Sequence, residues 1–218
     1  MHSYRRNYAS FILGKVSLII EEHLARELKI MILNDLASIL YGLVKPVGEI
    51  RLLVDGKDLY TTAYIVSNVL GMSAYEKDIL GSLNKLGIAV LNPVLVPLTI
   101  IETPRKDIDH MLLDEPNDLV IDGYRIILPR IEYYIAKLFS YGAYPYNIYA
   151  LIHLMAYTDL IEPEKFRKAF EKTGIDPKTV IKDLKNIGGL ISVFPELNEV
   201  RGNIDKLVKI LDYKGYND

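Results

Sequence analysis

The stretch at residues 33–54 constrains the fold of this chain more than any other, because it links two apolar runs through a helical repeat. The first run is short and ends at Asn34 and Asp35, which is typical of a buried strand. Apolar residues then recur at helical spacing until Gly42, a residue type that often ends a helix. A loop with proline and glycine separates this helix from the second run, residues 50–54. The stretch therefore predicts a strand, a short helix and a second strand.

Further segments of the chain carry strand signals. Short apolar runs at residues 88–91 and 98–102 predict two strands, and the prolines between them argue against one continuous central strand. Apolar residues at 119–128 flank Asp122 and Gly123, a dipeptide favoured in the tight turn of a β-hairpin. Together with the strands of the first stretch, these segments predict a β-sheet.

Helical patterns alone follow the predicted hairpin. Pro129 opens the first of them, as proline often does at the first helical position. Gly188 and Gly189 are expected to interrupt the later helices. We therefore predict an α/β (α+β) fold with two domains. Residues 1–128 would form an α/β core in which helices flank a mixed β-sheet, and residues 129–218 would form a C-terminal α-helical region.

Composition excludes several classes of function. The absence of cysteine rules out disulfides, zinc ribbons, iron–sulfur clusters and cysteine catalysis. A net charge of −2 gives no overall electrostatic case for binding nucleic acid. The sequence shows no unbroken apolar segment long enough to cross a bilayer and no signal-peptide pattern, so we expect a cytoplasmic protein without a membrane partner. Abundant lysine and glutamate without cysteine favour an archaeal or thermophilic source.

The stretch at residues 33–54 resembles the opening of the minimal nucleotidyltransferase superfamily, especially its AbiEii-toxin-like branch. Both have a strand, a helix that begins Leu-Ala and ends at glycine, a basic loop residue and a second strand. The matching positions are Leu36, Ala37, Gly42, Lys45 and Gly48. The helix predicted after Pro129 is also similar to the family's Pro-x-x-Glu/Asp-x-Leu-Ile-Ala-x-Lys-Leu helix, with Lys137 at the family's lysine. The resemblance implies a nucleotidyltransferase-like core in residues 1–128.

The positions that carry chemistry in this family are altered in this chain. Asn34 and Asp35 stand where the family has a Gly-Gly turn that lets backbone N–H groups approach phosphates. Glu49 and Arg51 stand where the family has an Asp-x-Asp pair. Residues two apart on a strand share a face, so the Arg51 guanidinium would offset the charge that Mg²⁺ needs and would repel the cation. The resemblance therefore implies a degenerate active site.

A further carboxylate on a later strand completes the metal site of this family. Residues 107–113 are predicted to form that strand, with Asp109 as the best match and Asp107 on the same face. If the chain is an active enzyme, the resemblance implies Glu49, Asp109 and Asp107 as catalytic carboxylates. Glu49 and Asp109 would then hold Mg²⁺. If the chain is not active, no cofactor is expected.

The same resemblance predicts which side chains surround a bound nucleotide. The expected residues are Asn34, Asp35, Lys45, Arg51 and Lys137. Arg51 and Lys137 could bind an anion such as a nucleoside triphosphate without a metal. The alternative is a vestigial pocket in which Arg51 forms an ion pair with Glu49.

Three functions remain open at this point. The favoured hypothesis is a catalytically degenerate protein, a pseudoenzyme, that binds a nucleotide, a nucleic acid or a protein partner, including a second copy of itself. The second is an active Mg²⁺-dependent nucleotidyltransferase in which Glu49 works with Asp107 or Asp109. The third, implied by the AbiEii-like branch, is a component of a toxin–antitoxin or phage-defence system. Tyrosines clustered at residues 133–149 could stack nucleic-acid bases or line a protein interface, or they half-bury at a helix surface, which is the more common outcome.

Overall fold

The computed structural model describes residues 2–43, 47–142, 147–156 and 158–212 of the 218-residue chain. Within these residues, helices and strands are interspersed as far as the hairpin, and only helices follow it. This order confirms the predicted α/β class, with a mixed sheet flanked by helices and a C-terminal helical region.

The bounds of the described elements are as follows. The helices are α1 (His2–Leu24), α2 (Asn34–Leu40), α3 (Leu59–Val69), α4 (Glu76–Leu86), α5 (Asp107–Asp114), α6 (Ile131–Ser140), α7 (Ile148–Met155), α8 (Pro163–Glu171), α9 (Pro177–Ile191) and α10 (Asn198–Asp212). The strands are β1 (Ile30–Leu33), β2 (Glu49–Val54), β3 (Ile88–Leu91), β4 (Leu98–Glu102), β5 (Asn117–Ile121) and β6 (Tyr124–Leu128).

The chain divides into two compact units. The first, which we call the α/β unit, comprises Met1–Arg105 and Leu112–Pro129. The second, the helical unit, comprises Lys106–Met111 and Arg130–Asp218. The beginning of α5 therefore belongs to the helical unit, although it precedes the hairpin in sequence.

Four strands of the α/β unit form a mixed sheet in the order β1-β2-β4-β3. β2 pairs antiparallel with β1 and parallel with β4, and β3 pairs antiparallel with β4. β5 and β6 form a separate two-stranded sheet, which confirms the predicted hairpin. β2 and β4 are therefore the central strands of the larger sheet, and β1 and β3 lie at its two edges.

Local sequence signals explain where the elements of the α/β unit begin and end. β1 is buried along its whole length, as its unbroken apolar run predicts. Asp58 caps α3 by accepting a hydrogen bond from the Thr61 N–H at 2.9 Å. Gly87 ends α4 with a left-handed φ of 62°, a conformation that glycine adopts without steric cost.

Aromatic side chains form the centre of the helical unit. Phe170 packs edge-on against Phe139 and Phe166, with ring centroids 5.4 Å and 4.9 Å away. Such edge-to-face contacts stabilise a core beyond the area that they bury. Asp176 caps α9 by accepting from the Lys178 N–H at 3.2 Å, and its position before a proline is a typical helix start.

The predicted break at Gly188 and Gly189 is wrong, because α9 continues through both residues. Gly188 is buried, and a Cβ atom there would contact Ile204 of α10 at 3.7 Å. That distance is an ordinary van der Waals contact, so α10 packs against α9 at this position. This packing offsets the low helix propensity of glycine, which local sequence rules alone do not include.

The prediction of a strand at residues 107–113 is also wrong, because these residues lie in the helix α5. The Lys106 N–H donates to Asp109 Oδ2 at 3.1 Å, which stabilises the first turn of the helix. Successive helical residues are about 100° apart, so Asp107 and Asp109 do not share a face. Asp109 is buried, whereas Asp107 is exposed and lies 3.3 Å from the Lys172 ammonium.

Candidate functional site

Arg51 lies between two carboxylates on one face of the mixed sheet. Its Nε donates to Glu49 Oε1 at 3.2 Å, and its Nη1 donates to Glu102 Oε2 at 3.3 Å. The side chains of Arg51, Glu49 and Glu102 are 17%, 22% and 9% exposed. We call these three residues the arginine–carboxylate cluster. The ion pair predicted between Glu49 and Arg51 is confirmed.

Strand register brings the three side chains of the cluster together. Glu49 and Arg51 are two residues apart on β2 and therefore share a face. β4 runs parallel to β2 with Glu102 opposite Leu53, which is two residues beyond Arg51 and lies on the same face. Sequence reasoning missed Glu102. Its position at the end of an apolar strand was a signal, but the parallel pairing that places it beside Arg51 depends on the sheet topology.

Asn34 and Asp35 connect the start of α2 to the start of β2. Asn34 has a left-handed φ of 52°, which asparagine tolerates better than most residues. Its Nδ2 donates to Glu49 Oε1 at 2.8 Å. Asp35 Oδ2 accepts from the N–H groups of Gly48 at 3.1 Å and Glu49 at 3.3 Å. Both predicted residues therefore lie beside Glu49.

The Asp35 carboxylate also occupies the backbone N–H donors of this turn. The backbone N–H groups of Gly48 and Glu49, at the start of β2, already donate to Asp35. A Cβ atom at Gly48 would come within 2.9 Å of the same carboxylate, so a larger residue there would displace it. The Asp35 carboxylate is the anion bound by these N–H groups. A phosphate would have to compete with it for the same donors.

Two of the other predicted site residues, Lys137 and Asp109, form an ion pair in the helical unit, whereas Asp107 contacts Lys172. Lys137 Nζ donates to Asp109 Oδ1, and the two side chains are only 4% and 2% exposed. The ammonium also lies 4.3 Å from the centroid of the Tyr141 ring, a favourable cation–π geometry. The arginine–carboxylate cluster belongs to the α/β unit, so the structure does not place all the predicted residues in one unit. Lys45 lies outside the described residues.

The arginine–carboxylate cluster does not fit a Mg²⁺ ion as it is arranged. Glu49 and Asp109, the predicted ligands, already contact Arg51 and Lys137. Glu102 supplies a second carboxylate near Glu49, but Arg51 contacts both. A guanidinium in this position offsets the negative charge that Mg²⁺ requires and repels a second cation. In the described part of the chain, no group of three or more acidic or histidine side chains is arranged to hold a metal ion.

The tyrosines at residues 133–149 do not form one surface. Tyr133 and Tyr134 are buried within α6, whereas Tyr149 on α7 is largely exposed. Tyr144 and Tyr146 lie outside the described residues. The described tyrosines therefore divide between core and surface, and they do not form a stacking platform for nucleic-acid bases.

Comparison with known proteins adds no relative. No protein-family model matches the chain, and no curated protein matches it. The resemblance to the minimal nucleotidyltransferase superfamily therefore stays a prediction that depends on the quoted residues. None of the described helices is long and apolar enough to cross a lipid bilayer.

Proposed function

We propose that this chain is a nucleotidyltransferase-like protein that does not transfer nucleotides and acts by binding a protein partner. The observation that carries the proposal is the position of Arg51 between Glu49 and Glu102. Transfer by the mechanism of the resembling family needs carboxylates that are free to hold Mg²⁺. In this cluster a protein cation occupies both carboxylates, so the chemistry would first require Arg51 to leave.

A protein partner is favoured over a nucleotide because Arg51 and Lys137, the two cations predicted to bind an anion, already contact carboxylates. Arg51 contacts two carboxylates, and Lys137 contacts Asp109. The N–H groups of Gly48 and Glu49 donate to Asp35. A triphosphate would compete with a carboxylate at each of these positions, and the chain carries a net charge of −2. A partner from a toxin–antitoxin or phage-defence pair stays a prediction of the family resemblance.

Calorimetric titration with each nucleoside triphosphate, with and without Mg²⁺, tests the proposal. We expect no binding in either condition. The same samples are then incubated with labelled triphosphate and candidate acceptors. Mg²⁺-dependent binding, or covalent transfer of the label, would contradict the proposal and favour an active Mg²⁺-dependent nucleotidyltransferase.

The variant Arg51→Met shows whether a negative result has the proposed cause. It removes the guanidinium and leaves Glu49 and Glu102 on one face of the sheet. Two neighbouring like charges repel each other, and a divalent cation bound between them would relieve that repulsion. We therefore expect Arg51→Met to bind Mn²⁺ at least about tenfold more tightly than the wild type, since tenfold corresponds to about 1.4 kcal/mol. Electron paramagnetic resonance of the free Mn²⁺ measures this difference.

Arg125→Met is the matched control for the Mn²⁺ experiment. Arg125 also contacts a carboxylate, Asp118, at 2.5 Å, but that pair is on an exposed strand surface. Removing it leaves Asp118 in an exposed position where water screens its charge, so we expect Mn²⁺ affinity to stay at the wild-type value. If Arg51→Met gains no more affinity than Arg125→Met, Arg51 is not what excludes a cation, and the proposal loses its support.

A further inference from the structure

The outer edge of β3 has no partner among the described strands. β3 lies at the end of the order β1-β2-β4-β3 and pairs only with β4 in the described part of the chain. The opposite edge strand, β1, is buried along its length. An exposed edge presents backbone N–H and C=O groups to any extended chain that approaches it.

The ladder between β3 and β4 determines which backbone groups point outward. The Thr103 N–H donates to the Gly87 C=O at 2.9 Å, next to the first pair of the ladder. In an antiparallel ladder, every second residue bonds to the partner strand. Counting from Gly87, Ala89 faces β4. Ile88 and Val90 therefore direct their N–H and C=O groups away from the sheet.

The β3 strand itself carries none of the charges that usually keep exposed edge strands apart, although Arg105 donates to the Leu86 C=O just before it and Lys15 and Asp78 line the cavity beside it. From residue 86 to residue 101 the chain contains no acidic residue, no basic residue and no histidine. Val90 is 61% exposed, and Val94 and Leu95 in the following loop are 97% and 68% exposed. A cavity of about 780 Å³, lined largely by apolar residues, lies beside the strand. Such an apolar, uncharged edge is prone to association.

The hairpin edge of the same unit shows the contrast. β5 also exposes apolar side chains, including Val120. It carries Asp118, however, which contacts Arg125 at 2.5 Å on the exposed surface. Charged side chains on an edge strand discourage pairing with another chain. Of these two edges, β3 is the one that is open to a partner strand.

We infer that the outer edge of β3 pairs with β3 of a second copy of this chain, so that the two four-stranded sheets become continuous. In a two-fold arrangement each side chain meets the same segment of the other copy, so a charge on the edge would face a like charge. An uncharged edge is free of this repulsion and complements itself. A charged partner strand would gain nothing from the absence of charge over residues 86–101.

The positions of the outward-facing residues also fit a two-fold axis. Ile88 and Val90 lie symmetrically on either side of Ala89. With the axis at Ala89, Val90 of each copy lies opposite Ile88 of the other. Both residues point their backbone groups outward, so each pair exchanges both of its hydrogen bonds, as in a hydrogen-bonded antiparallel pair.

Light scattering after gel filtration of the full chain tests this inference, together with two variants of Val90. We expect the wild type to have twice the chain mass of 24.8 kDa across the micromolar range. Val90→Pro removes the outward N–H without removing a bond to β4, and proline is tolerated on edge strands. Val90→Lys adds a positive charge that would lie near the same added charge on the other chain of the dimer. We expect both variants to be monomers with the wild-type circular dichroism spectrum.

Val120→Lys is the control, because it adds the same charge to the exposed β5 strand. We expect this variant to stay dimeric. Hydrogen exchange gives a second readout, since the Ile88 and Val90 amides should be protected in the wild type and exchange rapidly in Val90→Lys. A wild type that is monomeric throughout the micromolar range would overturn the inference. So would a dimer that persists in both Val90 variants, or a monomer whose β3 amides are protected only by an added extended peptide. No residue of the arginine–carboxylate cluster lies on β3, so these experiments do not test the role proposed for Arg51.

Discussion

The two units each contain an ion pair whose residues the family resemblance assigned to a nucleotide site, but the two pairs differ in exposure. In the helical unit, Lys137 and Asp109 are almost completely buried. In the α/β unit, the side chains of Arg51 and Glu49 are about one-fifth exposed. Burial makes a charge pair costly to break, and exposure leaves it able to exchange partners. A motif match cannot separate these roles, because both pairs have the residue types that a nucleotide site uses.

Breaking the buried pair is expected to have the largest effect. Lys137→Met keeps an apolar side chain of similar length but leaves the Asp109 carboxylate in the core without its ammonium partner. Removing one partner of a buried ion pair costs about 3–5 kcal/mol. We expect the free energy of unfolding to fall by about that amount, measured by urea denaturation.

The double variant Lys137→Met with Asp109→Leu separates the interaction energy of the ion pair from the contributions of the two individual side chains. Replacing both charges with apolar groups removes the uncompensated carboxylate, so we expect much of the loss to be recovered. Losses that simply add would show that the two side chains are not coupled. The helical unit would then depend on Asp109 mainly as the cap of α5, through its bond from the Lys106 N–H.

Removing Arg51 is expected to have a smaller effect on stability. Arg51→Met loses charged hydrogen bonds to Glu49 and Glu102, which are worth about 1.5–3 kcal/mol before allowance for exposure. Because water reaches this cluster, we expect a loss of about 1–2 kcal/mol that shrinks as salt is added. The loss in Lys137→Met should be insensitive to salt. Equal losses with equal salt response would show that Arg51 is a core residue and not part of a binding surface.

Most of the fold could be predicted because it depends on residues close in sequence. β1, α2 and β2 lie where two apolar runs and a helical repeat placed them. α5 could not be predicted, because its strand signal was short and short segments do not separate helix from strand. What decides the outcome is the Asp109 cap together with burial of one helix face, and burial depends on the rest of the unit.

Only the part of the candidate site that lies on a single strand could be predicted from the sequence. Glu49 and Arg51 share a face because they are two residues apart, and the sequence alone shows that. Glu102 is 51 residues from Arg51, and parallel pairing of β2 with β4 brings it there. Lys137 and Asp109 are 28 residues apart and meet only because residues 106–111 pack in the helical unit. Contacts of this range depend on topology, which local patterns do not specify.

His23 extends the comparison to a buried titratable group of the α/β unit. Burial lowers the pKa of His23 below its ordinary value of 6.5, and the bond to the Ile19 C=O only partly opposes this. The unfolded chain therefore binds a proton more readily than the folded one, so stability is complete above pH 6.5 and falls as the pH decreases below it. His23→Gln does not titrate. We expect the difference in unfolding free energy between wild type and variant to change below that pH, and a constant difference would contradict the burial effect.

The exposed pair of Arg125 and Asp118 is expected to show the smallest effect, and it tests whether exposure orders the three ion pairs. Its contact distance of 2.5 Å is shorter than either contact of Arg51, and hydrogen bonding to Asp118 raises the pKa of Arg125 above its ordinary value. If short contacts set stability, Arg125→Met should cost more than Arg51→Met. Exposed pairs in water contribute only about 0–1 kcal/mol, so we expect Arg125→Met to lower the free energy of unfolding by less than about 1 kcal/mol. Urea denaturation of both variants at low and high salt decides between distance and burial. A cost for Arg125→Met that equals or exceeds that of Arg51→Met would mean that the exposure of Arg51 says nothing about its role.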